Sequence, residues 1–192
     1  MNPNIPYLNE WLTLSNEGKF EKAQEVYFER LFGAVIETFI EANKTVLPQG
    51  GILFSMLGYS PEPIILTAKL IKPDVHIIFT TNNRGQGNNY LEKYLNDDYK
   101  LVVLDSDDFN PIYTALKEQL LLNPSSNITM DITGGKKSMV ASAAIFGKDY
   151  GFRIVYVDFA EYISHLRKPM PGSEILNVVY DPNKNQPELF IP

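Results

Sequence analysis

The chain has 192 residues, a formal net charge of −6 and no cysteine, and 44% of its residues are hydrophobic. This length and hydrophobic content suit one domain with a real core, with or without an appendage. The absence of cysteine excludes a disulfide framework, a thiolate metal site and a thiol nucleophile. With two histidines in the whole sequence, we expect neither a metal nor another cofactor.

The composition also limits the expected binding partners and the cellular location of the protein. No apolar run reaches the roughly 18 residues that a membrane span needs, and residues 1–7 lack the basic start and apolar run of a signal peptide. We therefore expect a cytoplasmic protein that does not engage a membrane. The chain is acidic overall and shows no basic stripe, so long nucleic acid is not an expected partner. Any anionic ligand should therefore be small.

Residues 5–45 predict helices, because apolar residues recur there at three- and four-residue steps. We expect two helices joined near residues 15–18, followed by a turn-rich exit at residues 47–51. The predicted organisation is an N-terminal helical segment, 1–48, and a second domain, 49–192.

From residue 50 onward, short apolar runs alternate with amphipathic segments of helical length. The predicted strands are 52–56, 75–80, 100–104, 127–132, 152–158 and 175–180. The predicted helices are 61–71, 89–95, 111–122 and 138–150. Buried strands alternating with helices predict an α/β fold: a Rossmann-like, mostly parallel sheet with helices on both faces. In such sheets ligands bind at the loops that leave the carboxyl ends of the strands.

The loop after the fourth strand carries the densest pattern, Asp131-Ile-Thr-Gly-Gly-Lys-Lys-Ser138. Paired glycines let backbone amides approach an anion, and the following helix N-terminus favours negative charge. The predicted contacts are Thr133, Gly134, Gly135, Lys136 and Lys137. The alternative is an ordinary glycine turn with solvated lysines. The spacing does not match a P-loop or a dinucleotide-binding fingerprint.

Two earlier loops offer further polar groups. In the first, Gly58 permits a tight turn, and the serines can either cap the next helix, with Ser60 as the N-cap, or contact a ligand. The second is polar and carries one arginine, which suits either ligand recognition or a plain surface loop. The predicted ligand contacts are Ser55, Gly58 and Ser60 in the first loop and Thr81, Asn82 and Arg84 in the second.

Acidic residues follow the third strand. Asp105, Asp107 and Asp108 can hold Mg²⁺ or cap the next helix, and capping is the favoured interpretation. His76, inside a predicted strand, is expected to pack in the core or at the surface.

These motifs together resemble the CARF family, the CRISPR-associated Rossmann-fold domains of type III systems. The resemblance covers roughly residues 50–182, and Thr133-Gly134-Gly135-x-Lys137 with Met139 is its most specific part. It implies a homodimer that binds a cyclic oligoadenylate, such as tetra- or hexa-adenylate, across its interface. It also implies a sensor role in antiviral signalling, with the output carried by an effector domain or a partner protein.

Two alternatives stay open beside the sensor. In the first, the chain is a metal-independent ring nuclease that slowly cleaves the bound ring, with Lys137 as the catalytic residue that stabilises the developing charge. In the second, the domain binds some other nucleotide or sugar phosphate. The residues supply orientation and charge but no convincing acid–base pair, which favours binding over cleavage.

Overall fold

In the computed structural model, residues 5–81, 88–96 and 98–184 are described. The helices are α1 (Leu8–Asn16), α2 (Phe20–Val26), α3 (Phe32–Asn43), α4 (Glu62–Ile71), α5 (Asn88–Leu95), α6 (Phe109–Leu122) and α7 (Lys137–Asp149), with a π-helical turn at Tyr27–Leu31. The strands are β1 (Ile52–Met56), β2 (Val75–Thr81), β3 (Lys100–Leu104), β4 (Ile128–Asp131), β5 (Arg153–Phe159), β6 (Tyr162–Ile163), β7 (Lys168–Pro169) and β8 (Glu174–Tyr180).

The main sheet has six strands in the order β3-β2-β1-β4-β5-β8. The neighbouring pairs β1–β2, β1–β4, β2–β3 and β4–β5 are parallel. The chain builds outward from β1 to β3 and then returns to place β4 on the other side of β1. The strand order therefore reverses between β1 and β4, which is where ligands bind in open sheets of this kind. The prediction of a Rossmann-like, mostly parallel sheet is confirmed.

The core lies around β1, whose five residues are all buried. A strand with neighbours on both sides and helices around it has no solvent face, which explains why four of its five residues are apolar. The ring of Phe54 lies 5.4 Å from that of Phe79 and 5.9 Å from that of Phe152, centroid to centroid. Helices α6 and α7 add side chains such as Leu116 and Phe146 to the same cluster.

The chain divides into two compact units, Met1–Leu47 with Val157–Leu176, and Pro48–Tyr156 with Asn177–Pro192. In the first unit Trp11 is buried, and the backbone N–H of Leu176 donates to Asn43 Oδ1 at 3.1 Å. A late segment of the chain is thus hydrogen-bonded to the N-terminal helices. The boundary predicted from the sequence, after residue 48, stays a prediction.

Several boundaries differ from the sequence prediction. Helix α6 begins at Phe109, two residues before the predicted start, because a proline is tolerated in the first helical turn and does not have to open it. Strand β2 runs one residue further, through Thr81. The antiparallel pair β6–β7 was not predicted, since two-residue strands are too short to show a period.

Two features do not occur within the described ranges. None of the helices there is long and apolar enough to cross a bilayer. In the same part of the chain, no three potential metal-ligating side chains come together as a metal site.

Asp108 occupies the N-cap position of α6, as the capping interpretation predicted. Its carboxylate accepts a hydrogen bond from Ser106 Oγ at 2.9 Å, however, and does not cap the helix.

Candidate functional site

A cleft of about 290 Å³ lies at the carboxyl ends of the central strands. It belongs wholly to the second unit, Pro48–Tyr156 with Asn177–Pro192. The loops after β1 and β4 supply most of its wall, and the end of β2 and the first turns of α4 and α7 complete it. The lining residues are Leu57, Gly58, Tyr59, Ser60, Pro63, Thr80, Thr81, Thr133, Gly134, Gly135, Lys136 and Met139. The cleft therefore sits at the switch point of the sheet.

The β1 and β4 loops touch backbone to backbone at the floor of this cleft. A Cβ built on Gly134 would overlap the carbonyl oxygen of Met56 and lie 3.1 Å from the Gly58 nitrogen. A Cβ on Gly58 would lie 2.7 Å from the nitrogen of Gly135, whose own φ is +88°. Glycine is required at these three positions because any side chain would push the two loops apart.

The buried carboxylate of Asp131 holds the β4 loop in this shape. Its Oδ1 accepts hydrogen bonds from the Thr133 backbone N–H at 2.9 Å and from Thr133 Oγ1 at 2.5 Å. The other oxygen, Oδ2, and the hydroxyl of Thr67 are both buried. Burial raises the pKa of Asp131, although the hydrogen bonds from Thr133 oppose the rise.

Lys136 is the cationic side chain among the described lining residues, and it already has a partner. Its Nζ lies 2.8 Å from Asp107 Oδ2 in the loop after β3. The hydrogen bond between them raises the pKa of Lys136 and lowers the pKa of Asp107. Lys136 is also the N-cap of α7 and offers no side-chain acceptor there, so the amides of the first turn are left for an anion.

Most of the sequence-predicted site residues come together in the cleft. Ser55 does not line it: its side chain is buried in the sheet, and its Oγ lies 3.0 Å from Nε2 of the buried His76. Lys137 is the first residue of α7, exposed and outside the lining. Asn82 and Arg84 lie outside the described residues. The predicted contacts that line the cleft are Gly58, Ser60, Thr81, Thr133, Gly134, Gly135 and Lys136.

The capping interpretation of Ser60 was wrong by one residue, because Pro61 is the N-cap of α4 and no side chain caps that helix. Ser60 lines the cleft instead.

Sequence reasoning missed Tyr59, Thr80 and Asp107. Tyr59 is 80% exposed at the cleft, and its position between Gly58 and Ser60 was a usable clue. Thr80 was placed at the junction of the second strand and its loop but was not included among the predicted ligand contacts. Asp107 is recruited by the ion pair with Lys136, which no local pattern indicates.

The fold and cleft define a Rossmann-like domain with a glycine-lined cleft at the switch point of its sheet. No family model matches the chain. It is 26% identical over 168 residues to the CRISPR system endoribonuclease Csm6 of Thermus thermophilus, across 84% of this chain and 36% of that protein. The chain thus spans about a third of the relative's length.

Two solved structures are similar to part of the chain. Can2 from Sulfobacillus thermosulfidooxidans, in complex with cyclic tetra-adenylate, superposes with a TM-score of 0.50 and 17% identity, over 65% of this chain and 34% of that one. Enterococcus italicus Csm6, bound to cyclic hexa-2'-fluoro-hexa-dAMP, gives a TM-score of 0.46 and 19% identity, over 59% and 35%. The similarity to Csm6 in sequence and to Can2 in fold agrees with the resemblance to the CARF domains of type III CRISPR systems that the sequence motifs carry.

Proposed function

We propose that this chain is a sensor domain that binds a cyclic oligoadenylate as a cytoplasmic homodimer in type III CRISPR antiviral signalling. The observation that carries the proposal is the cleft at the switch point, where two glycine loops, the start of α7 and Lys136 converge. The complex of Can2 with cyclic tetra-adenylate supports the choice of ligand. An effector domain or a partner protein would carry the output.

The chemistry of the lining suits an adenylate unit. Free amides at the α7 start and the Lys136 ammonium can hold a phosphodiester. The exposed ring of Tyr59 offers a face on which a base can stack. The hydroxyls of Ser60, Thr80 and Thr81 can bond a ribose or a base edge.

The size of the cleft favours a dimer. About 290 Å³ is at the small end of ligand pockets, which run from about 300 to 1,000 Å³, so a ring of four or six nucleotides needs more than one cleft. A two-fold axis would bring two copies of the same loops around a ring that shares that symmetry. Two Lys136 side chains would then face the ring despite the acidic total charge.

Binding without rapid cleavage is the function that the lining supports best. The described lining residues carry hydroxyls, an amine and a thioether but no carboxylate or imidazole that could serve as a general base. The ring nuclease is therefore an outcome of the test and not the leading proposal.

The test is calorimetry of the purified protein with cyclic tri-, tetra- and hexa-adenylate, with chromatography of the ligand afterwards and the protein mass measured by light scattering. We expect one intact ring per two chains. Lys136→Ala should weaken binding about tenfold or more, because it removes a charge-assisted hydrogen bond from the cleft. Lys148→Ala, which removes an exposed charge at the far end of the same helix, is the matched control and should bind like the wild type.

Lys137→Ala separates the two lysines of the motif, since the resemblance points to Lys137 and the cleft to Lys136. Linear products that disappear in Lys137→Ala would make the chain a ring nuclease. If no ring binds at any concentration tested, the proposed function is wrong and only the fold stands.

A further inference from the structure

The β3–α6 loop, which does not line the cleft, reaches the cleft's lysine through Asp107. The carboxylate and the ammonium are 2.8 Å apart, and their side chains are 39% and 47% exposed. This exposure means that the pair can open without leaving a buried charge unpaired. Lys136 is thus shared between the cleft and a neighbouring acidic loop.

The acidic loop is locally ordered, so the position of Asp107 is not arbitrary. The backbone N–H of Asp108 donates to Ser106 Oγ at 3.1 Å, and Ser106 Oγ donates to Asp108 Oδ2 at 2.9 Å. Asp108 is at the same time the N-cap of α6. The residues on either side of Asp107 are engaged with each other, while Asp107 itself turns to Lys136.

A carboxylate and a phosphodiester are alike in what they offer a lysine: both are oxyanions that accept charge-assisted hydrogen bonds. A phosphate that enters the cleft meets a lysine whose charge is already offset by Asp107. The phosphate must either displace the Asp107 carboxylate from Lys136 or bind next to that carboxylate, which is also negatively charged. Either route lowers the affinity that the lysine would otherwise provide.

We propose that Asp107 is a built-in competitor for the phosphate at Lys136 and thereby sets the affinity and selectivity of the cleft. The inference rests on the proposed function, since it concerns how a cyclic oligoadenylate comes to bind Lys136. A ligand with one phosphate and few other contacts gains little from the occupied lysine. A cyclic oligoadenylate, which also contacts the glycine loops and the hydroxyls, displaces the carboxylate.

The experiment measures the affinity of the full chain for cyclic tetra-adenylate, cyclic hexa-adenylate and AMP in wild type, Asp107→Asn and Asp108→Asn. Asp107→Asn should bind the ring about threefold to fivefold more tightly, the size of effect expected for an exposed ion pair. Its gain should include AMP, which the wild type binds weakly. Asp108→Asn removes the same charge from the next residue and should leave the ring affinity unchanged.

A double-mutant cycle with Lys136→Ala tests the mechanism, because the gain from Asp107→Asn must disappear when the lysine is absent. An equal gain in the Lys136→Ala background would mean general charge repulsion and would overturn the proposal. A wild type that binds the ring with an affinity equal to that of Asp107→Asn overturns this inference alone. Failure of every variant to bind a ring overturns the proposed function as well. Thermal unfolding of each variant checks that the fold is intact.

Discussion

Replacing Gly134 with alanine tests the interlocked loops directly. The added Cβ would overlap the carbonyl oxygen of Met56 and approach the nitrogen of Gly58 to 3.1 Å. Both neighbours are backbone atoms, which cannot rotate away, so one loop must move. Overpacking of this kind costs typically 1–3 kcal/mol, and we expect the upper end, about 3 kcal/mol of unfolding free energy. In a chain of this size that corresponds to a fall in the melting midpoint of roughly 6 to 12 °C.

The matched control is Gly33→Ala in α3, where the added Cβ would meet no atom within 4 Å. Because alanine is the better helix former, this variant should gain about 0.5–1 kcal/mol. Urea unfolding followed by circular dichroism measures both changes, and calorimetry with the cyclic ligand shows that Gly134→Ala also loses binding. A Gly134→Ala protein as stable as the wild type would refute the backbone contact between the loops.

Two further predictions concern buried ionisable groups. Burial lowers the pKa of His76 to about 3, below the unfolded value of 6.5, so stability is lost as the pH falls through 6.5. Between pH 7 and pH 5 the free energy of unfolding, measured by urea titration, should fall by about 2 kcal/mol more in the wild type than in His76→Gln. Unfolding free energies that change in parallel with pH in the two proteins would contradict this. For Asp131 burial raises the pKa, so the pH dependence of stability is the opposite of that for His76. The stability is present below the pKa of the unfolded state and is lost as the pH rises toward the pKa of the folded state. Asp131→Asn should therefore gain stability relative to wild type as the pH rises above about 4. Asp131→Ala removes the acceptor of both Thr133 hydrogen bonds and should lose stability at every pH.

The sequence predicted much of the site because its signals are local. A strand followed by two glycines and a helix start forms a turn with exposed amides in almost any context. Seven of the eleven predicted contacts line the cleft, and four of the seven belong to this turn. Ser55 was expected there because it lies near the end of a strand. Strand side chains alternate between the two faces, however, and its hydroxyl pairs with His76 on the neighbouring strand. The strand itself was visible in the sequence, but the face of the sheet that each of its residues takes was not.

The alternation of buried strands with amphipathic helices determined the Rossmann-like sheet, because helix and strand periods are properties of the chain itself. The sequence motifs also indicated the CARF family and the glycine turn. Only the tertiary structure decided that glycine is needed at positions 58 and 134, because the two loops face each other there. It also decided that Asp107 forms an ion pair with Lys136 of the cleft. Both depend on groups more than 25 residues apart in the sequence that meet only once β1, β3 and β4 take their places in the sheet. Local pattern cannot encode such contacts, because the distance between two loops is set by the packing of everything between them.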